Sequence, residues 1–230
     1  MLTQIYEISS PEEAQAISDI GIDHVGILVG DGEFPREQSL SRAAEIAAAI
    51  TAPAKFSGLF LAARTDFIVR WAQILKPEIV HLGAAPELLG TADVATIKAA
   101  LPGRAIMRSV PVYGEQSICI ARTYEGLADY LLLDSHRPSD KQIGALGMPH
   151  DWSISRRIVE TVRTPVVLAG GLGPDNVAQA IRTVRPAGVD SKTKTDKANT
   201  HTKDLERVRR FHEAARSVEN ASWNPAGERR

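Results

Sequence analysis

The chain of 230 residues is poor in cysteine, in aromatic side chains and in surplus charge. Its single cysteine, Cys119, excludes a disulfide framework and a cysteine-based zinc site. Aromatic residues make up only 5% of the chain, so its core must be built from aliphatic side chains. The formal net charge is −1. General nucleic-acid or membrane-surface binders usually carry a basic excess, so we expect neither kind of partner.

Long apolar runs and a targeting pattern are also missing. No apolar run approaches the roughly 20 residues that span a bilayer. The opening MLTQIYEISS has neither the basic region nor the apolar segment of a signal peptide. We therefore expect a cytoplasmic protein. The 43% of hydrophobic residues suffice for a sizeable core, and the length allows one large domain or two small ones.

Short apolar segments rich in β-branched residues recur along the whole chain, and a helix candidate follows each of them. The first helix has clear start signals, with Ser10 as N-cap, Pro11 in the first turn and Glu12 near the positive end of the dipole. The eight strand candidates are residues 2–8, 24–30, 55–62, 78–83, 104–112, 129–135, 164–171 and 187–193.

This alternation predicts an α/β fold, a single-domain (β/α)8 TIM barrel over residues 1–217. A doubly wound open sheet gives the same local signals. The barrel is favoured by the count of eight and by the position of the unusual polar residues, which follow strand ends. Residues 218–230 lose the helical periodicity, and we predict that they form a flexible C-terminal tail.

The loop after the seventh strand carries glycines ahead of a predicted helix start. Glycine allows positive φ and close approach of the backbone, and a helix start offers free N–H groups that suit a phosphate. The segment is AGGLGPDN, with Gly170, Gly171 and Gly173. The alternative is a plain tight turn. The loops after strands seven and eight form a phosphate site in many barrels, which favours the functional interpretation.

The predicted eighth strand ends in a run in which lysines alternate with hydroxyl side chains. If the strand continues through this run, only one of the two sets faces the barrel axis. Either set could hold a phosphate, and a solvated polar loop is the alternative. We predict phosphate contacts from Gly170, Gly171, Lys192, Thr193 and Lys194.

These residues carry a resemblance to a known family. The segment PVVLAGGLGPDNVAQAIRTVRPAGVD, from Pro165, resembles the C-terminal signature of phosphoribosylanthranilate isomerases, which are (β/α)8 enzymes of tryptophan biosynthesis. IYEISSPEEA from Ile5, FPREQS from Phe34 and LLLDS ending at Ser135 resemble other parts of that family, in the same order. The similarity spans nearly the whole chain.

The resemblance implies an Amadori rearrangement of a phosphoribosyl amine. The general acid of the family matches Asp134, whose carboxyl would need a raised pKa to work near neutral pH. The arginine that binds the anthranilate carboxylate matches Arg36. The catalytic cysteine of the family is replaced by Tyr6, and Glu7 takes the place of the following glycine. Tyrosine, with a reference pKa of about 10, is a poor base unless cationic neighbours lower its pKa.

Other parts of the family pattern also differ. Lys192 and Thr193 stand where the family has serines, and Lys194 replaces a glycine. The loop after strand six is altered at Ala145, Leu146, Met148 and Pro149. Because these changes surround one pocket, they indicate either a different substrate or the loss of catalysis.

Further polar residues are candidates for the same pocket. His136 shares strand parity with Asp134 and could supply the missing base; a solvated loop histidine is the alternative. His81 could face the barrel mouth, Asp190 could contact substrate, and Arg108 could hold a second anionic group or form a structural ion pair. No ligand-spacing motif supports a metal site, so we expect neither metal nor cofactor. We expect Cys119, in SICIA, to be a buried core thiol.

The leading hypothesis is an isomerase that acts on a phosphorylated sugar or phosphoribosyl compound by acid–base chemistry, as a monomer or homodimer. A catalytically inactive paralogue that binds a phosphorylated metabolite is the alternative. A sugar-phosphate epimerase or an aldolase-type barrel is a third hypothesis.

Overall fold

The computed structural model describes residues 1–135 and 150–222, and within these ranges strands and helices alternate. The strands are Leu2–Ile5 (β1), His24–Leu28 (β2), Lys55–Phe60 (β3), Ile79–Leu82 (β4), Ala105–Val112 (β5), Tyr130–Ser135 (β6), Val166–Leu168 (β7) and Gly188–Ser191 (β8). The helices are Pro11–Ile20 (α1), Leu40–Ala48 (α2), Thr65–Leu75 (α3), Thr91–Ala100 (α4), Gln116–Thr123 (α5), Trp152–Thr161 (α6), Val177–Val184 (α7) and Leu205–Ser222 (α8).

The parallel strands form a closed barrel in sequence order. The first strand pairs with β2 on one side and with β8 on the other, and the second pairing runs from Leu2 opposite Gly188 to Ile5 opposite Ser191. Closure confirms the predicted (β/α)8 fold and shows that the doubly wound sheet was wrong. No helix in the described part of the chain is long and apolar enough to cross a membrane.

All eight observed strands are shorter than the predicted ones. The first strand ends at Ile5, so Tyr6 and Glu7 lie just beyond it. The eighth ends at Ser191 and is followed by a 3-10 turn over Thr193–Thr195, which the Thr195 hydroxyl closes by donating to the Lys192 carbonyl at 2.9 Å. The strand parity assumed for this run therefore does not apply. The last helix continues to Ser222, past the predicted domain end at residue 217.

Alternation along each strand separates two layers of side chains. Outward-facing aliphatic residues, such as Ile5, Val25 and Val80, pack against the helices. Inward-facing residues fill the barrel with a smaller cluster of Tyr6, Ile79, Met107, Leu132, Val167 and Ala169. The inward layer ends at the carboxyl ends of the strands, so the next inward side chains surround the barrel mouth.

The ring of Tyr6 depends on a glycine in the neighbouring strand. A Cβ placed on Gly26 would lie only 2.0 Å from the Tyr6 ring. The ring therefore packs directly against the backbone of β2, and Tyr6 is only 4% exposed. A tyrosine is accommodated at this position of the barrel interior because residue 26 has no side chain.

We expect Gly26→Ala to destabilise the protein by about 1–3 kcal/mol, because the added methyl overpacks the barrel interior. Urea unfolding measures the change. Gly58→Ala on β3 is the matched control, since a Cβ there meets its nearest atoms at an ordinary 3.5 Å. Gly26→Ala should lower the free energy of unfolding by less when it is made in a Tyr6→Ala background. Equal costs in the two backgrounds would contradict this account.

Candidate active site

A cavity opens at the carboxyl ends of the barrel strands, where enzymes of this fold carry their active sites. Its volume is about 260 Å³. Its lining combines apolar and polar side chains. The lining residues are Tyr6, Glu7, Leu28, Pro35, Arg36, Leu59, Leu61, His81, Ser109, Leu132, Asp134, Asp190 and Lys192.

Two carboxyl groups of the cavity have raised pKa values. Burial raises the pKa of Asp134, at the end of β6, to about 7, against hydrogen bonds that its Oδ1 accepts from the backbone N–H and the hydroxyl of Ser135. Burial also raises the pKa of Asp190, on β8, to about 8, and the neighbouring Asp134 adds to this shift. Near neutral pH the two carboxyls share their protons as a coupled pair.

At the bottom of the cavity, four polar side chains form one chain of hydrogen bonds, one from the residue after β1 and the others from β3, β4 and β5. The Tyr6 hydroxyl lies 2.7 Å from the Ser57 Oγ and 2.6 Å from Nδ1 of His81. The other ring nitrogen of His81, Nε2, lies 2.7 Å from the Ser109 Oγ. All four of these side chains are buried, and each has a hydrogen-bond partner.

These buried hydrogen bonds argue against Tyr6 as the catalytic base. Burial raises the pKa of Tyr6 well above its usual value, and none of the cations in the described part of the chain reverses this shift. His81 does face the cavity, but burial and the nearby Arg108 charge lower its pKa to about 3. A neutral His81 with both nitrogens engaged serves to orient Tyr6 and Ser109.

The predicted carboxylate-binding arginine already holds a carboxylate. The Arg36 Nε lies 2.6 Å from Oε2 of Glu7, and Nη2 lies 3.2 Å from Oε1. Lys192 Nζ approaches the same Oε2 at 3.2 Å. Burial opposes ionisation of Glu7, but the two cations outweigh it and hold the Glu7 pKa below its usual range.

A second, smaller cavity continues from the first and matches the predicted phosphate cradle. It shares Asp134, Asp190 and Lys192 with the main cavity. Its backbone wall includes Gly170 (φ 85°) and Gly171 (φ 65°), a conformation that glycine adopts without strain. Thr193 and Lys194 complete the lining. All five predicted phosphate-contacting residues therefore border one cavity.

The two predicted lysines differ in their surroundings. Besides Glu7, Lys192 Nζ has Asp196 Oδ2 at 3.6 Å and His201 Nδ1 at 3.3 Å. Lys194 is exposed and forms no ion pair within the described residues. A buried ion pair between Lys203 and Asp196, at 2.5 Å, fixes the segment that carries both lysines. Lys194 is therefore the cation with its charge available to an anion in the cradle.

Two expectations are contradicted by the structure. Arg108 does not reach the cavity, because its neighbours Met107 and Ser109 face inward and Arg108 faces the helices. Its guanidinium is fully buried and donates to the carbonyls of Leu82, Ala84 and Leu89, so its role is structural. Cys119 is exposed, because the helix α5 turns Ser117 and Ala121 inward instead.

His136 and the altered loop residues Ala145, Leu146, Met148 and Pro149 lie outside the described residues. Among those that are described, no group of three or more His, Cys, Asp or Glu side chains could hold a metal ion.

Three participants were missed in the sequence: Ser57, Ser109 and Gly26. All three are small residues at inward-facing positions of their strands, two residues apart from other inward-facing residues such as Leu59 and Met107. Strand parity could have found them, and it could also have excluded Arg108. No sequence pattern indicated the ion pair between Glu7 and Arg36, because the two residues lie in different loops.

The comparisons with known proteins agree with this geometry. The sequence profile of the N-(5'-phosphoribosyl)anthranilate isomerase family matches residues 4–214. The isomerase of Methanocella arvoryzae is 35% identical over 211 residues, covering 90% of this chain and 94% of that protein. The chain belongs to the phosphoribosylanthranilate isomerase family. The family resemblance drawn from the sequence is thereby confirmed.

Other relatives of the family support the same assignment. The isomerase of Natronomonas pharaonis is 35% identical over 221 residues, covering 90% of this chain and 94% of that protein. The crystal structure of the Thermotoga maritima isomerase superposes with a TM-score of 0.77 at 25% identity, over 94% of this chain and 99% of the other. An isomerase structure in complex with reduced 1-(o-carboxyphenylamino)-1-deoxyribulose 5-phosphate superposes with a TM-score of 0.75 at 24% identity, over 94% of this chain and 100% of the other.

The raised pKa of Asp190 predicts a specific pH dependence of stability. A folded-state pKa above the unfolded value makes the folded protein bind more protons between the two values, so stability falls as pH rises. Between pH ~4 and pH ~8, wild type should lose free energy of unfolding relative to Asp190→Asn, by at most about 1.4 kcal/mol per pH unit.

Urea unfolding at a series of pH values measures this difference. Asp19→Asn, on the exposed face of α1, is the control and should leave the pH dependence unchanged. Parallel stability curves for wild type and Asp190→Asn would show that Asp190 titrates normally.

Proposed function

We propose that this chain catalyses an Amadori-type isomerisation, converting a phosphorylated aldose amine into the corresponding ketose amine. The observation that carries the proposal is a carboxyl with a raised pKa, Asp134, which borders both the main cavity and the glycine-lined cradle. A substrate phosphate in the cradle would bring the attached sugar ring next to this acid. Membership of the isomerase family supports the same reaction class.

Asp134 is the proposed general acid. Burial keeps its carboxyl partly protonated near neutral pH, which is the condition for donating a proton to the ring oxygen of the sugar. The ring then opens to an iminium ion. Gly170 and Gly171 would hold the phosphate through their backbone, and Lys194 would supply a charge.

The proposed base is Asp190, reached by elimination among the described residues of the cavity. Tyr6 has a raised pKa, and His81 has both ring nitrogens engaged. Glu7 is bound to two cations, which weakens it as a base. Asp190, with a pKa of about 8, is a strong proton acceptor when ionised, and Gln4 Nε2 orients its Oδ1 at 3.2 Å. Because the pKa of Asp134 is lower, at about 7, the reactive form with Asp134 protonated and Asp190 ionised is the minor of the two singly protonated forms.

The protons balance over one turnover. The acid Asp134 gives its proton to the ring oxygen, and Asp190 removes the proton from C2 of the iminium ion to form an enol amine. The protonated Asp190 then returns a proton to C1 while the enol hydroxyl gives its proton to Asp134. The product is the ketose amine, and both carboxyls regain their starting states.

We expect Asp134→Asn and Asp190→Asn each to lower kcat by about 10²–10⁴-fold with phosphorylated sugar amines as substrates, since each removes one proton transfer. Asp19→Asn is the control. His136→Asn enters the same assay, because His136 is the competing base. A larger loss from His136→Asn than from Asp190→Asn would reassign the base, and full activity of Asp134→Asn would refute the mechanism.

We further expect a bell-shaped pH profile of kcat/KM, because only the singly protonated carboxyl pair offers one donor and one acceptor. The limbs should lie near the two pKa values of about 7 and about 8. Complementation of a tryptophan auxotroph that lacks the isomerase would show whether phosphoribosylanthranilate itself is a substrate. Binding of phosphorylated sugar amines without any turnover would favour the inactive paralogue instead.

A further inference from the structure

The main cavity is lined by two chemically different sets of side chains. Five are apolar and form the leucine wall: Leu28, Pro35, Leu59, Leu61 and Leu132. The charged side chains of Glu7, Arg36 and Lys192 form an ion cluster that lines the same cavity. The part of a ligand that extends from the phosphate cradle into this cavity would contact both the leucines and the ion cluster.

The charged groups of the ion cluster are paired with one another. Both nitrogens that Arg36 directs at a carboxylate are bound to Glu7, at 2.6 Å and 3.2 Å. Lys192 Nζ is bound to the same carboxylate at 3.2 Å. The Glu7 side chain is only 11% exposed, whereas the Arg36 side chain is 33% exposed, so the pair lies at the edge of the cavity. Glu7 occupies the Nε–Nη2 edge of the guanidinium, so a ligand carboxylate would have to displace Glu7 to bind this edge.

The backbone supports this pairing at both ends. Glu7 has φ 60° and Arg36 has φ 69°, values in the left-handed region that residues with a side chain rarely adopt. Both partners of the ion pair thus sit at backbone positions held by the surrounding structure. The loop after β1 and the loop after β2 each present one charge to the other.

A ligand carboxylate would have to compete with Glu7 for Arg36 and Lys192. Glu7 remains ionised because Arg36 and Lys192 stabilise its charge, even though burial opposes it. A second carboxylate beside Arg36 would be repelled by Glu7 in a partly desolvated cavity, where charge interactions are stronger than in water. An uncharged group avoids this repulsion and gains contact with the leucines.

We propose that Glu7 is the resident carboxylate partner of Arg36, and that the cavity selects phosphorylated sugar amines whose amine substituent carries no acid group. This inference rests on the isomerase function proposed above and names its substrate class. An apolar ring would pack on the leucine wall, and the substrate N–H would face the oxygens of Glu7.

The test compares two ligands that differ by one carboxyl group. Reduced 1-(o-carboxyphenylamino)-1-deoxyribulose 5-phosphate carries the acid, and the reduced phenylamino compound lacks it. We expect wild type to bind the phenylamino compound at least about 10-fold more tightly in calorimetric titration, a difference equivalent to about 1.4 kcal/mol. Glu7→Gly should reverse this preference, since it frees Arg36 and suits φ 60°.

Two further variants control the comparison. Glu7→Gln keeps the side-chain volume and should give an intermediate preference. Glu33→Gln removes one negative charge from the exposed loop that also carries Arg36, and it should leave the preference of wild type unchanged. If Glu7→Gly does not fold, the affinities of wild type for the two ligands still test the proposal.

Each outcome decides the proposal. Equal affinity of wild type for the two compounds, or tighter binding of the carboxyl compound, overturns the inference and leaves the isomerase function intact. Failure of wild type and of the variants to bind either compound overturns the isomerase function together with the inference. If Glu33→Gln and Glu7→Gln changed the preference between the two ligands equally, the effect would be a general one of charge, and the inference would also be overturned.

Discussion

Closure of the barrel between its first and last strands is the constraint on which the site depends. The pairing of β1 with β8 continues into a hydrogen bond from the Tyr6 N–H to the Ser191 carbonyl at 3.2 Å. This places the residue after each strand end on the same rim. Glu7 and Lys192 meet at 3.2 Å although nearly the whole chain separates them. Without closure, neither the ion cluster nor the shared wall of the two cavities could form.

The site combines the proposed glycine-lined cradle with a floor of buried polar side chains. Gly170 and Gly171, both with positive φ, give the cradle part of its shape through the backbone. The floor is different, because Tyr6 occupies interior space and its hydroxyl joins a buried chain with Ser57, His81 and Ser109. A buried polar chain with every member satisfied gives the tyrosine one fixed position.

The charges around the mouth also depend on depth. The surrounding protein desolvates the carboxyls of Asp134 and Asp190, which form no ion pair within the described residues, so their pKa values rise to about 7 and about 8. Glu7 lies nearer the rim between two cations, and its pKa falls. Three carboxyls in one cavity therefore hold different protonation states at the same pH, which is the requirement for acid–base chemistry.

The amino-acid sequence by itself determined the fold and the family, and it indicated Asp134 and the glycine loop as candidate site residues. Periodicity, strand count and helix start signals are local properties, and the family pattern preserves them. Tertiary structure alone decided that Arg108 faces the helices, that the lysine run after Ser191 is a turn, and that Tyr6 cannot lose its proton readily. It also decided that Arg36 holds Glu7. These outcomes depend on burial and on which distant side chains meet at the closed rim. A sequence pattern gives neither the burial of a side chain nor its contacts with residues far away in the chain.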